Sequence, residues 1–406
     1  MTGYDVEQLR AHFPALSSGI AHFDGPGGTQ APRQVGAAIA ATLTGPLSNR
    51  GLGSESERNA ETAIADFRAA CADFLGASPG GVVYGRSATQ LCYDVSRALA
   101  KVWAPGDEVV VTRLDHDSNV RPWIQAAERA GATVRWADLD PSTGELDLDS
   151  LVAAVTPRTK VVAVTAASNL LGTMPPLAEI AATAHAVGAL VFVDAVHYAA
   201  HHLVDTAALG ADLLMCSPYK FLGPHCGVLV GDPALLETIT PDKLAPATDA
   251  VPERFELGTL PYETMAGVTA TIEFIAAIAP GTASGRRARL AASMDAIDAH
   301  ETRLRVRVEK GLADLGEAFV PLALAAQRTP TLLYTLPGRR SADAYRFLSE
   351  RKVLAPAGSF YAYEPYRRLA EHHRLDDPGA LRIGIAPYTN DDDVDRLLAG
   401  LTAFVT

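Results

Sequence analysis

The sequence predicts an α/β protein: a mostly parallel seven-stranded sheet in a large unit, followed by a smaller α+β unit towards the C-terminus. Three observations carry that reading. Between about residues 80 and 235, short β-branched runs alternate with longer helical stretches. Several of the runs are almost continuously apolar, as strands are when helices cover both faces of a parallel sheet. The chain has 406 residues, 48% of them apolar and 20% charged, which suffices for two cores and is unlike a disordered or fibrous chain.

Taken in order, the strands fall at Val82–Tyr84, Glu108–Thr112, Thr133–Trp136, Val161–Thr165, Leu190–Asp194, Leu213–Cys216 and Gly227–Val230. The intervening helices include Thr89–Trp103, Asn119–Ala130, Leu148–Val155 and Leu177–Val187. The stretch Leu235–Thr259 holds Pro241, Pro246 and Pro252 and reads as loop. A helix follows over Tyr262–Ala279, and Gly281–Gly285 reads as a hinge. Beyond it come a long charged helix, Arg286–Leu315, and a mixed tail: Thr331–Leu336, Ala342–Glu350, Leu381–Ile385 and Asp391–Phe404. This divides the chain into residues 21–280, residues 281–406 and an N-terminal segment, 1–20, expected to pack with the smaller unit.

Lys plus Arg number 35 and Asp plus Glu 47, a formal charge of −12, which disfavours nucleic acid as a partner. No stretch reaches the roughly 18 apolar residues of a membrane helix. Met1–Arg10 carries Asp5 and Glu7 without an apolar run, so no signal peptide is expected. The four cysteines, Cys71, Cys92, Cys216 and Cys226, show no CxxC pair and no zinc-ligand spacing, and no metal is expected. A reduced, cytoplasmic protein is the simplest expectation.

Lys220 follows an apolar strand within Ser217-Pro218-Tyr219-Lys220-Phe221, where desolvation frees an amine for Schiff-base chemistry; taken alone, a surface lysine on a loop is the commoner case. Asp194 ends Leu190–Val193 at the carboxyl edge of the sheet, where it can hold a protonated ring nitrogen or simply cap a helix. Gly85-Arg86-Ser87-Ala88-Thr89-Gln90 opens a helix with small and hydroxyl residues, a start that suits a phosphate. It is neither GxGxxG nor a Walker loop, and neither is Gly25-Pro26-Gly27-Gly28, which counts against dinucleotide enzymes and nucleotide hydrolases. His116 follows another strand and can stack on a flat ring. The pairs His201-His202 and His372-His373 point about 100° apart on a helix and read as surface residues. In conjunction, the helix start, His116, Asn169, Asp194 and Lys220 each follow a strand. Together they make the set that holds pyridoxal 5′-phosphate.

On these residues the sequence resembles the fold type I pyridoxal-phosphate enzymes, and more closely the class V aminotransferase and cysteine desulfurase-like family. The resemblance runs from about His22 to the C-terminus. It rests on His22-Phe23-Asp24 with its Gly-rich turn, Asp115-His116-Asp117-Ser118-Asn119, Ser168-Asn169-Leu170-Leu171-Gly172-Thr173, Val193-Asp194-Ala195-Val196-His197, Ser217-Pro218-Tyr219-Lys220 and Phe255-Glu256-Leu257-Gly258-Thr259. It implies that Lys220 carries the cofactor and moves protons, that Asp194 pairs with the pyridine nitrogen, and that His116 stacks on the ring. Asn169 contacts the ring-hydroxyl side. His197, standing where the family often has glutamine, lies beside the phenolic oxygen. Ala88, Thr89, Ser217 and Tyr219 hold the phosphate, Tyr219 replacing a frequent histidine. Thr259 reaches the phosphate of the other subunit of a homodimer. Arg382 binds the α-carboxylate of an amino-acid substrate, with Asn169 and Tyr361 also lining the substrate site.

One departure matters for the reaction. Where cysteine desulfurases carry the loop cysteine that accepts sulfur, this chain has Ala355-Pro356-Ala357-Gly358-Ser359-Phe360-Tyr361-Ala362-Tyr363, with Tyr361 about where the thiol belongs. A hydroxyl cannot replace a thiolate as sulfur acceptor. Pro356 also stands near the place of a frequent arginine. The expected reaction is therefore a C–S lyase, β-elimination from cysteine or an S-substituted cysteine with Lys220 as base. The alternatives are transamination, a decarboxylating or oxidative deaminating variant, and epimerisation. A non-catalytic scaffold would have lost Lys220 or Asp194, and a dehydrogenase would carry the glycine fingerprint.

Overall fold

A computed structural model describes residues 4–279, 284–322 and 324–406. Seven strands form the large sheet: β1 (Val82–Gly85), β2 (Glu108–Thr112), β3 (Thr133–Ala137), β4 (Thr159–Thr165), β5 (Leu190–Asp194), β6 (Leu213–Cys216) and β7 (Gly227–Gly231). Their order is β1-β7-β6-β5-β4-β2-β3. β7 runs antiparallel to both neighbours, and every other pair is parallel. β1, β2, β6 and β7 are buried along their whole length, whereas the edge strand β3 has only Ala137 fully buried.

Successive side chains go to opposite faces, so each strand feeds two cores. Val110, Val162, Val164, Val191, Val193 and Leu214 join the core with Phe67, Phe74 and Met265. Their neighbours Val109, Val111, Val161, Ala163, Phe192 and Met215 join the core with Leu91, Val95 and Trp123. The helix Glu55–Leu75 packs on the first face and the helices Ala88–Ala100 and Arg121–Ala130 on the second.

A second, antiparallel sheet follows: β8 (Val320–Pro321), β9 (Thr331–Thr335), β10 (Ala357–Gly358) and β11 (Ala380–Gly384), in the order β8-β9-β11-β10. The helices Arg286–Ala313, Ser341–Ser349 and Asp391–Val405 contribute Leu304, Val308, Leu348 and Leu397 to its core. Near the N-terminus, Ala21–His22 pairs in parallel with Val353–Leu354, and Asp24 bridges to Gly384. Arg10 donates to Asp393 at 2.7 Å. The chain from 21 to 24 is thus stitched to the small sheet before it turns towards the large one, where the Thr29 N–H meets the Tyr219 carbonyl at 3.0 Å.

The expected strands are all present, with ends that shift by a residue or so. The helices Arg33–Thr44 and Glu55–Leu75 precede the strand–helix alternation and were not foreseen. A capping box, Ser54 with Glu57, marks the start of the second. The expected hinge at Gly281–Gly285 lies largely outside the described residues. His201 and His202 are not surface residues. The turn Tyr198–Ala200 folds them inward, His201 bonded through Nδ1 to buried Glu301 at 2.8 Å. Local spacing says how two neighbours diverge but not what packs over them. Among the described residues no helix is long and apolar enough to cross a membrane.

Candidate active site

The carboxyl ends of the parallel strands open into a cavity of about 380 Å³. After β1, Ser87 caps the helix Ala88–Ala100, its hydroxyl accepting the Gln90 N–H at 3.1 Å. The Leu91 N–H makes the first intrahelical bond, to the Ser87 carbonyl, so the N–H groups of Ala88 and Thr89 precede the ladder at the cavity wall. Gly227 makes this possible: a Cβ there would lie 2.5 Å from the Ser87 carbonyl carbon and 2.6 Å from the Ala88 nitrogen.

After β2, buried Asp115 accepts the Asn119 amide at 2.7 Å and the Thr112 hydroxyl. Burial pushes its carboxyl up to about 8. The next residue, His116, accepts the Ser118 N–H at Nδ1 at 3.0 Å, which leaves the ring proton on Nε2. Burial, followed by the nearby Lys220 charge, holds the imidazole down at about 4, so it is neutral.

Asp194 ends β5 almost fully buried, with Oδ1 accepting the Val196 N–H at 2.9 Å. Burial raises it to about 6. His197 lies within 2.9 Å of the Thr329 and Thr331 hydroxyls through Nε2, while its buried Nδ1 has no partner among the described residues. Burial pushes it well below the usual histidine range. After β6, one turn carries Ser217, Tyr219 and Lys220. Lys220 is 8% exposed, and its Nζ donates to the Pro26 carbonyl. Burial, then the Arg382 charge, lowers its amine to about 8.

The small sheet closes the cavity. Arg382, on β11, is 2% exposed; it donates to the Asn169 carbonyl at 3.0 Å and pairs with Asp24 at 2.6 Å. The Phe360 ring lies 3.6 Å from its guanidinium carbon. The Phe360 carbonyl accepts the Asn169 amide at 3.0 Å, the Tyr361 carbonyl accepts the Asp117 N–H at 2.8 Å, and the Tyr361 ring lies 5.7 Å from that of His116.

Ala88, Thr89, His116, Asn169, Asp194, His197, Ser217, Tyr219, Lys220, Tyr361 and Arg382, far apart in sequence, therefore line one cavity. Thr259 does not; it lies on an exposed turn of its own chain. Asp24, Pro26, Gly27 and Ser118 line the cavity too, without a role having been expected for them, as do Ser87 of the phosphate-suited helix start and Phe360 of the aromatic loop. For the first three the signal was the Gly-rich turn itself. The four cysteines are buried and none lines the cavity; burial lifts the Cys226 thiol to about 12 and the other three well above the usual range.

The family model for class V aminotransferases matches residues 21–397. An uncharacterized protein of Mycobacterium tuberculosis is 31% identical, covering 98% of this chain and 99% of that one. A cysteine desulfurase of Dickeya dadantii is 30% identical, covering 98% and 96%. The crystal structure of the cysteine desulfurase CsdA of Escherichia coli superposes with a TM-score of 0.87 at 24% identity, covering 99% and 98%, a likeness of fold. The chain belongs to the class V aminotransferase family, and with it to the pyridoxal-phosphate-dependent enzymes of fold type I. The cavity fits that cofactor. It offers anion-ready N–H groups, a buried lysine, a buried carboxylate and a neutral imidazole. Three buried polar atoms, Asn169 Oδ1, His197 Nδ1 and Arg382 Nε, have no partner among the described residues.

Proposed function

We propose that the protein is a pyridoxal-phosphate-dependent lyase that breaks the C–S bond of cysteine or an S-substituted cysteine by β-elimination. One observation carries the reading: the loop over the cavity presents Phe360 and Tyr361, and every cysteine is buried away from it. A buried lysine base is therefore available and a sulfur acceptor is not. The resemblance to proteins named cysteine desulfurases supports a sulfur-bearing substrate.

Pyridoxal phosphate, when bound, supplies the electron sink for charge developing at the substrate α-carbon. The Ala88 and Thr89 N–H groups, with the Ser217 hydroxyl and Tyr219, take the phosphate. Asp194 holds a proton at the ring nitrogen, His116 lies against the ring face, and Asn169 and His197 serve the ring-oxygen side. Lys220 carries the cofactor and, once freed, takes the α-proton at Nζ; an amine held near 8 is suited to both tasks. Arg382 takes the α-carboxylate, assisted by Asn169. Phe360 and Tyr361 enclose the substituent on sulfur. The Cα–H pair becomes the Cα=Cβ bond and sulfur leaves with the Cβ–S pair. With water, the net products are thiol, pyruvate and ammonium. On the same reading Thr259 reaches the phosphate site of a second copy of the chain.

Product analysis tests the proposal: the holoenzyme is incubated with cysteine, S-substituted cysteines and a panel of ordinary amino acids. Pyruvate with stoichiometric thiol, and the cofactor absorbance restored, is the expected result. Accumulated pyridoxamine phosphate, released carbon dioxide or inverted substrate without thiol would replace elimination by transamination, decarboxylation or epimerisation.

A further inference from the structure

The turn Asp24–Gly28 was conspicuous in the sequence, yet the reaction above gives it no task. In the structure it touches both cations of the site. The Pro26 carbonyl receives the Lys220 ammonium, and Asp24 Oδ1 accepts Arg382 Nη2 at 2.6 Å. Arg382 is fixed from three sides: Asp24 on one terminal nitrogen, the Asn169 carbonyl on the other at 3.0 Å, and the Phe360 ring on its face at 3.6 Å. Its Nε is buried and has no partner among the described residues. Asp24 is the carboxylate paired with this buried guanidinium among the described residues.

Asp24 is itself held in register with Arg382. The Phe23 N–H meets the Leu354 carbonyl and the Gly384 N–H meets the Phe23 carbonyl, both at 2.8 Å, and Asp24 bridges to Gly384, two positions along β11 from Arg382. Gly27 leaves the carboxylate its place. A Cβ on Gly27 would overlap the Asp24 carboxylate, and a Cβ on Gly384 would overlap the Pro26 ring.

We propose that Asp24 is a positioning residue. It grips the Arg382 guanidinium by one terminal nitrogen so that the remaining donors, Nε among them, meet a substrate carboxylate in a single orientation, with Gly27 providing the room. A buried guanidinium without this counter-charge would be free to seek other acceptors and would lose its fixed orientation. The inference rests on the reading of Arg382 as the carboxylate receptor.

Two aminooxy probes test it on the holoenzyme: aminooxyacetate, which carries a carboxylate, and methoxyamine, which does not. Loss of the bound cofactor's visible absorbance gives each rate, and their ratio measures carboxylate recognition without any turnover. Asp24→Ala is expected to cut the aminooxyacetate preference about ten-fold while leaving the methoxyamine rate unchanged, and Asp24→Asn, which keeps an acceptor oxygen, to recover part of it. Gly27→Ala is expected to act in the same direction and replaces the first variant should that one fail to fold. An unchanged ratio in these variants, or an equal slowing of both probes, overturns the proposal. Arg382→Ala separates the two readings. If it abolishes the preference while Asp24→Ala keeps it, only the positioning role falls. If it leaves the preference intact, the carboxylate receptor is elsewhere and both fall.

Discussion

Lys220 shows how placement makes an ordinary side chain reactive. Burial lowers its amine to about 8, so the neutral form grows as pH rises through that value. Cofactor uptake by the apoprotein, followed by absorbance, should accordingly accelerate between about pH 7 and 9 and level off above. Borohydride reduction of the holoenzyme should fix the cofactor on the peptide containing Lys220, and Lys220→Ala should retain none; cofactor fixed on another lysine would refute the assignment. Arg382→Ala should weaken amino-acid binding about 10- to 100-fold in spectral titrations and leave cofactor affinity nearly unchanged, since the guanidinium is assigned to the substrate. Equal losses would mean that Arg382 only holds the small sheet in place. These two residues were legible in the sequence because each sits in a motif at a strand end or within a strand. Asp24 was legible as part of a motif but not as a partner, because its ion pair spans 358 positions.

At the scale of elements, two features shape the cavity. One is the helix beginning at Ala88, pressed against β7 through Gly227. Gly227→Ala should push the helix start away and weaken cofactor binding, measured by equilibrium dialysis, while secondary structure by circular dichroism is retained. The other is the loop between β10 and the helix Tyr363–His373, where Phe360 and Tyr361 take φ of 54° and 56°. Non-glycine residues adopt this region at a cost of about 1 kcal/mol or more each, which surrounding contacts must offset. Here the offsets are the Asn169 and Asp117 hydrogen bonds, the Phe360–Arg382 contact, and the ion pairs of Glu364 with Arg113 and of Arg368 with Asp138 just beyond the loop. Sequence located the loop and its aromatic residues. The backbone conformation and the partners that sustain it come from two separate sheets and leave no local trace.

Across the whole molecule, the site lies where two sheets meet, and buried histidines line the seam. His197 and His201 sit between the end of β5 and the elements carrying Thr329, Thr331 and Glu301, and the largely covered His202 packs beside them against the Tyr198 ring. Burial lowers the folded-state values of all three, His202 to about 4, against an unfolded value near 6.5. The unfolded chain therefore binds more protons below about pH 6.5. The stability these groups contribute is complete above that value and is lost as pH falls towards 4, by up to about 1.4 kcal/mol per pH unit for each histidine. Thermal unfolding of the apoprotein should shift steadily downward from pH 7 to pH 5, and His202→Gln should flatten that slope. An unchanged slope would place the acid sensitivity elsewhere.

The alternation of apolar runs and helical stretches, the strand-end positions of His116, Asn169, Asp194 and Lys220, and the absence of a loop cysteine are properties of local sequence. They determined the α/β fold class and pointed to the residues proposed to carry the chemistry, because strand, turn and helix starts are encoded within a few neighbours. Burial, pairing and orientation are not encoded that way. That Arg382 is gripped by Asp24 and covered by Phe360, that Lys220 is desolvated enough to lie near 8, and that His201 is enclosed against Glu301 were decided by the packing of the small sheet on the large one. Each depends on groups hundreds of positions apart coming within a few ångströms, which only the folded chain brings about.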